Sequence, residues 1–192
     1  MVAEMTKRIE AASPRLRARM TGVVYLLYFL TATSAETFIG RSRPVAYDAV
    51  NLIAHLFYIA VTLLFYYMFK PVNAGLSLLA ALFSLAGCAI DVLGVFNIAP
   101  YGVSPLVFFG PYCLLIGYLI FRSTFLPRIL GVLMMLAGLG WLIFLSPHAG
   151  TLSTYLEVLG FLAELSLCLW LIVMGVNVPR WQEKTNARRA FQ

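Results

Sequence analysis

Six long apolar stretches dominate this sequence and restrict the solvent in which it can fold. They run roughly from Met20 to Ile39, Val50 to Phe69, Leu76 to Ile98, Pro105 to Phe121, Ile129 to Leu145 and Tyr155 to Val176. A helix needs about 20 mostly apolar residues to cross a bilayer. Charged residues make up 11% of the 192 residues, against about a quarter in soluble domains. We therefore expect an all-α, polytopic membrane helix bundle of six transmembrane helices.

The polar segments predict the domain organisation. Residues 20–178 form one predicted transmembrane domain, which follows a basic N-terminal segment, 1–19, and precedes a tail, 179–192. Trp181 in the tail is expected to anchor at the membrane interface. A basic head, an apolar run and small residues ending at Ala35 also resemble a secretory signal peptide. The length of the apolar run favours a retained first span.

The Lys and Arg residues predict the orientation. If the N-terminus lies inside, cytoplasmic segments hold twelve of the 14 basic residues, and only Arg41 and Arg43 remain outside. Cytoplasmic loops of membrane proteins are enriched in Lys and Arg, so both termini are predicted to be cytoplasmic. Since no basic run interleaves with aromatic residues on a soluble module, no nucleic-acid partner is expected despite the net charge of +6.

Ionisable side chains inside apolar stretches are the candidate functional groups, because a charge at the bilayer centre costs about 2.5–3.5 kcal/mol on insertion scales. Five of the eight acidic residues and both histidines map to the outer half of the membrane or its outer edge: Glu36, Asp48, Asp91, Glu157, Glu164, His55 and His148. Glu164 lies about nine residues into its span, near the midplane. This distribution predicts a polar funnel that opens outward.

Helical periodicity places several polar residues on shared faces. On the second span, Asp48, Asn51, His55, Tyr58 and Thr62 recur at steps of three or four residues. The predicted ligand-binding residues are Glu36, Asn51, His55, Tyr58, Asp91, Glu157 and Glu164, and the catalytic candidates among them are Glu164, Asp91, Glu36 and His55. The fourth and fifth spans carry no charge and are predicted to form a wall, with Gly110, Gly117, Gly131 and Gly138 as packing notches.

Some of these residues have a purely structural alternative. Glu36 beside Arg41 fits a surface ion pair equally well, and His55 equally fits a hydrogen bond to a neighbouring polar group. Three residues lie so near the water that solvation is the favoured interpretation: Asp48, Glu157 and His148. Asp91 and Glu164 lie deepest, so a pocket is favoured for these two.

No metal or cofactor is predicted. Intramembrane zinc hydrolases need three histidines and an acid, whereas only His55 lies inside the membrane. Bis-histidine haem needs two facing imidazoles, and Cys88, Cys113 and Cys168 show no CxxC or Cys/His spacing. Carboxylates, one His and several Tyr in an apolar shell suit proton exchange, general acid/base work on a lipophilic substrate, or cation binding.

The stretch Gly117 to Gly131 has the pattern Gly-Tyr-Leu-x-Phe-Arg-Ser-x-Phe-Leu-Pro-Arg-x-Leu-Gly. It resembles a bacterial six-span integral-membrane family that is classified only as a domain of unknown function. Weaker similarity covers most of the chain, including Ala35-Glu36 and Ala163-Glu164-Leu165. Tyr112 departs from the family's pattern, in which a histidine precedes the cysteine. The resemblance implies the bacterial cytoplasmic membrane and implies no activity.

Three functions remain open. The preferred one is an outward-facing intramembrane pocket, lined by carboxylates, that binds or transforms a small lipophilic molecule, so whether the protein is an enzyme is left open. The alternatives are a structural or regulatory membrane subunit, and a proton- or cation-coupled transporter. The expected partners are the lipid bilayer and the small lipophilic ligand, and a homo-oligomer is also left open.

Overall fold

The structure, a computed structural model, describes residues 13–145 and 150–189. Both ranges are built from α-helices without a β-strand. The helices are α1 (Pro14–Ser34), α2 (Pro44–Phe69), α3 (Ala74–Val95), α4 (Leu106–Ser123), α5 (Arg128–Phe144), α6 (Ser153–Val173) and α7 (Val178–Arg189). A π-helical turn, Ala35–Ile39, extends α1, and a 3₁₀ turn, Gly150–Leu152, precedes α6. His148 lies outside the described residues.

Five helices in the described ranges are long and apolar enough to cross a membrane: α1 with its π turn, α2, α3, α4 and α6. The remaining apolar helix, α5, has 17 residues. At 1.5 Å per residue it is about 26 Å long, slightly shorter than the hydrocarbon core of about 30 Å. These lengths and compositions are consistent with a membrane protein.

Local sequence explains where the helices begin and end. The side chains of Ser13 and Asn73 accept hydrogen bonds from backbone N–H groups three residues later, at 3.3 and 2.9 Å, and thereby cap α1 and α3. Pro14 and Pro44 occupy the first positions of α1 and α2, where a missing N–H costs nothing. After α4, Thr124 takes a left-handed conformation with φ 63°, which ends the helix.

The six long helices form a closed ring. Each one packs against the next along the chain, and α6 packs back against α1. Short connections make successive helices antiparallel, so their ends alternate between the two sides of the ring. The largest fully buried side chains include Tyr25 of α1, Phe65 of α2 and Tyr112 of α4. The interior of the ring therefore combines large aromatic side chains with aliphatic ones.

Helix α7 packs across the end of the ring that carries most of the basic residues. The side chain of Arg180 donates to the carbonyl of Thr124 at 3.0 Å, and that of Arg188 donates to the carbonyl of Lys70. The side chain of Arg19 in α1 donates to the carbonyl of Val173 at the end of α6, at 3.1 Å. The basic connections and both ends of the described chain thus lie on one side, opposite the α1–α2 connection.

Trp181 is part of this covering helix. Its Nε1 donates to the carbonyl of Met68 at 3.4 Å, and its ring packs against the buried core. The sequence also predicted an anchor in the membrane interface at Trp181, and this stays a prediction. Because residues 178–189 form α7, the indole is held by the helical ring.

Helices α4 and α5 make the closest approach in the ring. A Cβ built on Gly131 would lie 2.6 Å from the carbonyl oxygen of Gly117, and one built on Gly138 would lie 2.7 Å from that of Gly110. Backbone atoms cannot move aside as a flexible side chain can. The four glycines that the sequence suggested as packing notches therefore lie where the two backbones touch.

We expect Gly131→Ala to lower the free energy of unfolding by about 1–3 kcal/mol, the usual cost of overpacking. Gly94→Ala is the matched control, because a Cβ there meets nothing within 4 Å and Ala favours a helix over Gly by about 1 kcal/mol. Thermal unfolding in detergent measures both variants. Equal stability of the two would contradict the described α4–α5 contact.

Candidate functional site

The carboxyl group of Glu164 lies near the middle of α6 and points into the ring. Glu164 is 9% exposed, and the hydroxyl of Tyr25 on α1 donates a hydrogen bond to its Oε2. Tyr25 is itself fully buried. Among the acidic and basic side chains that the structure describes between residues 13 and 188, Glu164 is the one that is buried. A buried hydrogen bond therefore joins the first long helix to the last.

A close approach of α1 and α6 makes this hydrogen bond reachable. A Cβ on Gly22 would lie 2.8 Å from the backbone nitrogen of Ile172, and Cys168 Sγ donates to the carbonyl of Gly22 at 3.4 Å. Gly22 lies three residues before Tyr25, and Cys168 lies four residues after Glu164, so each pair shares a helix face. Glycine at position 22 thus permits the spacing at which the Tyr25 hydroxyl meets the carboxyl group.

Aromatic rings pack around Tyr25. Its ring centroid lies 5.0 Å from that of Phe29, 6.2 Å from that of Tyr58 and 5.9 Å from that of Phe65. Aromatic pairs at these separations attract each other. Tyr112, 1% exposed, extends the cluster through Tyr58, and its buried hydroxyl has no hydrogen-bond partner in the described part of the chain. Glu164 therefore lies in largely apolar surroundings.

His55 of α2 and Asp91 of α3 form a second polar contact. His55 Nε2 lies 3.1 Å from Asp91 Oδ2, and His55 Nδ1 lies 2.7 Å from the carbonyl oxygen of Asn51. A carbonyl oxygen only accepts, so Nδ1 carries a proton. A proton must also lie between Nε2 and the carboxyl oxygen. The pair therefore shares one proton in this contact, and side-chain exposures of 18% and 33% leave it open to exchange.

Two cavities meet at Glu164. The first, about 280 Å³, is lined by Tyr28, Phe29, Ala32, Thr33, Glu36, Thr37, Trp141, Glu157, Phe161 and Glu164. The second, about 210 Å³, is lined by Tyr28, His55, Tyr58, Asp91, Leu106, Phe109, Trp141 and Glu164. Tyr28, Trp141 and Glu164 line both. The first cavity extends from the middle of the ring to the π turn, at the end opposite α7.

The π turn carries Glu36 toward the first cavity. A π turn inserts an extra residue per turn and is often found at functional sites. The carboxyl group of Glu36 accepts a hydrogen bond from the hydroxyl of Tyr47 at the start of α2. No ion pair with Arg41 occurs within 4 Å among the described residues, so the surface-pair alternative does not describe this conformation.

The structure brings six of the seven predicted ligand-binding residues to the two cavities. They are Glu36, Glu157 and Glu164 in the first cavity, and His55, Tyr58, Asp91 and again Glu164 in the second. Asn51 lines neither. Its side-chain amide donates to the backbone carbonyl of Tyr47 at 3.1 Å, and its backbone carbonyl accepts from His55. The backbone of Asn51 therefore orients the imidazole, and its side chain is bonded within α2.

Sequence reasoning missed Tyr25, Tyr28 and Trp141. The two tyrosines are three residues apart, and helical periodicity alone places them on one face of α1. Trp141 lies on α5, which was predicted to be an uncharged wall, and a Trp near a span end usually indicates an interfacial anchor. Its indole packs over Gly160, where a Cβ would lie 2.4 Å away. The contact between Trp141 and Gly160 is visible only in the structure, because the two residues lie on different helices.

The lining of the two cavities is acidic and aromatic. Neither is lined by Lys or Arg. In the part of the chain that the structure describes, no three His, Cys, Asp or Glu side chains converge on a metal-sized site. Carboxyl groups beside an exchangeable proton can act as general acids or bases. Aromatic faces attract cations.

Comparisons with known proteins give a family likeness without an activity. Residues 100–175 match a family described as a domain of unknown function, DUF4386. An uncharacterized protein of Archaeoglobus fulgidus is 26% identical over 148 residues, covering 73% of this chain and 91% of the relative. No solved structure matches. The match agrees with the resemblance to a domain of unknown function, and it includes Trp141 and Glu164.

We expect Tyr25→Phe to lower the free energy of unfolding by about 1–3 kcal/mol, because the buried carboxyl oxygen loses its donor. Tyr28→Phe is the control, since Tyr28 lies on the same face of α1 and its hydroxyl bonds to no other described residue. Thermal unfolding of the two variants in the same detergent tests the difference. An equal decrease in the free energy of unfolding of both variants would show that the Tyr25–Glu164 hydrogen bond does not stabilise the protein.

Proposed function

We propose that this protein is a cytoplasmic-membrane protein of six spans whose helical ring holds an outward-facing pocket for a small lipophilic molecule. The observation that carries the proposal is the meeting of two cavities at the buried carboxyl group of Glu164. Ionisable groups inside membrane proteins are costly and commonly mark sites of function. A cavity beside such a group supplies the space that a ligand requires.

The positions of the basic residues support the orientation. The side of the ring covered by α7 holds Arg180, Arg188 and Lys70, and Lys and Arg mark the cytoplasmic side. The first cavity extends toward Glu36 at the opposite side. With α7 in the cytoplasm, both termini are cytoplasmic and the pocket faces outward.

The size and lining of the cavities support a small lipophilic ligand. Ligand pockets commonly measure about 300–1,000 Å³ and are lined mainly by apolar and aromatic groups. The cavities here, about 280 and 210 Å³, each lie just below that range and therefore suit a small ligand. Phe161 on the lining is 42% exposed. We propose that a ligand dissolved in the lipid enters past this side chain.

Acid/base chemistry on the bound molecule is compatible with the same residues. The pair His55–Asp91 and the carboxyl group of Glu164 all line the second cavity. A substrate bound there would meet both a proton donor and a proton acceptor. Glu164, Asp91, Glu36 and His55 remain the candidates for such a step.

A structural subunit is the competing function, and specific contacts favour it. Tyr25–Glu164 joins α1 to α6, and His55–Asp91 joins α2 to α3. Thr62 and Ser84, whose hydroxyls lie 2.6 Å apart, also join α2 to α3. Under this alternative, buried polar groups only hold helices together. Ligand content, measured at unchanged stability, separates the two functions.

We expect the purified wild-type protein to carry a co-extracted small molecule, detectable by native mass spectrometry, and Glu164→Gln to lose it. The amide keeps the shape of the carboxyl group but removes its charge and its proton exchange. Glu183→Gln, on the exposed face of α7, is the charge-matched control and should retain the molecule. A wild-type protein without any bound molecule, or equal loading of all three, would oppose the pocket.

We expect single-cysteine reporters to show six spans. Ser42 and Thr154 are exposed on the proposed outer side, Gln182 is exposed on α7, and the native cysteines are buried. Ser42→Cys and Thr154→Cys should react with an impermeant maleimide in intact cells. Gln182→Cys should react only after permeabilisation. Thr154→Cys protected in intact cells would mean that α5 does not cross the membrane.

A further inference from the structure

We propose that the ligand of this pocket is a lipophilic organic cation, a protonated amine or a quaternary ammonium, whose positive group lies beside Glu164 between Tyr28 and Trp141. This inference rests on the proposed pocket and names its ligand class. It depends on the charge of the lining, the aromatic rings at the junction of the cavities, and the missing counter-charge of Glu164.

The lining carries negative charge without positive charge. Acidic side chains line both cavities, and neither cavity is lined by Lys or Arg. His55 is already paired with Asp91 at 3.1 Å, so this pair as a unit is neutral. The remaining acidic groups attract a cation into the space and repel an anion. The same acidic groups would repel the negative charge of a fatty acid or a phosphate ester.

Glu164 lacks a charge partner of its own. The hydroxyl of Tyr25 donates a hydrogen bond to Oε2, and the side chain of Trp141 is a second hydrogen-bonding neighbour, but neutral donors do not balance a carboxylate. No Lys or Arg nitrogen lies within 4 Å of this carboxylate among the described residues. An ionised carboxylate in apolar surroundings is strongly favoured when a cation lies next to it. A ligand ammonium at the junction of the cavities supplies that partner.

The rings at the junction suit an ammonium group. Tyr28 and Trp141 line both cavities together with Glu164. Aromatic faces attract ammonium groups by about 0.5–2 kcal/mol each, most strongly for Trp and for desolvated sites, and quaternary ammonium ligands are bound in this way. Gly160 leaves room for the indole, because any Cβ there would collide with it. The apolar body of the ligand then packs along Phe29 and Phe161 in the first cavity.

A bare metal ion fits this junction less well than an organic cation. Divalent metal ions take several oxygen or nitrogen ligands at short distances. Around Glu164 the other lining groups shared by the cavities are the side chains of Tyr28 and Trp141. Both are aromatic side chains, which suit an alkylated ammonium better than a bare metal ion.

The test compares two probes of the same shape. Benzyltrimethylammonium and neopentylbenzene differ in a positive nitrogen against a neutral carbon. Binding of labelled benzyltrimethylammonium is measured on the full-length protein in nanodiscs, with empty nanodiscs subtracted and neopentylbenzene as competitor. We expect the wild-type protein to favour the cation by about tenfold or more, in line with a desolvated cation–π contact plus a carboxylate.

Two variants test whether the preference for the cationic probe depends on the residues that line both cavities. Glu164→Gln should weaken binding of benzyltrimethylammonium at least about tenfold, and Trp141→Leu, which keeps the carboxyl group, should weaken it by several-fold. Glu183→Gln on α7 should bind as the wild type does. If Glu164→Gln fails to yield a monodisperse protein, the Trp141→Leu result decides. Unchanged cation binding in both junction variants would overturn the proposal.

The outcomes separate this inference from the pocket itself. Equal affinity of the wild-type protein for both probes would reject the cation as ligand class and leave the pocket for lipophilic molecules in place. Binding of neither probe would also reject the cation. In that case the co-extracted molecule found by mass spectrometry still decides whether a pocket exists.

Discussion

The hydrogen bond between Tyr25 and Glu164 connects the first long helix to the last, and the arrangement of the site follows from this closure of the ring. It places an acidic group in the middle of an aromatic interior, where charge is costly. Gly22 permits the close approach of α1 and α6 on which the bond depends. The contact between α1 and α6 thus brings residues of these two helices to the same space as residues of α2 and α3.

The ring combines two kinds of helix contact with different consequences. Helices α4 and α5 touch backbone to backbone through pairs of glycines such as Gly117 and Gly131, so no space remains between them. Helices α1 and α6 also approach closely, at Gly22. The large side chains of Tyr28, Phe161 and Trp141 line the cavities toward the end opposite α7. The cavities therefore lie where aromatic side chains take part in the helix contacts.

Much of the fold could be predicted from the sequence, because helices in a membrane need long apolar runs and their ends need breakers or caps. The six apolar stretches coincide with α1 to α6, while the tail helix α7 was not predicted. Six predicted ligand-binding residues line the cavities, since polar side chains avoid the apolar surface. Asn51 lines neither cavity, because periodicity gives a helix face but not which hydrogen bonds a side chain makes. Trp141 was missed, because its partner Gly160 is distant in sequence.

The sequence by itself determined the length and polarity of the helices, the asymmetry of the basic residues and the acidic character of the opposite side. These properties depend on composition and on the helical period, both of which are local. Only the tertiary structure decided that His55 pairs with Asp91, that Tyr25 meets Glu164, and that two cavities join at this carboxyl group. Such pairings depend on how far each helix is rotated and how closely its neighbour approaches, which contacts between distant residues determine.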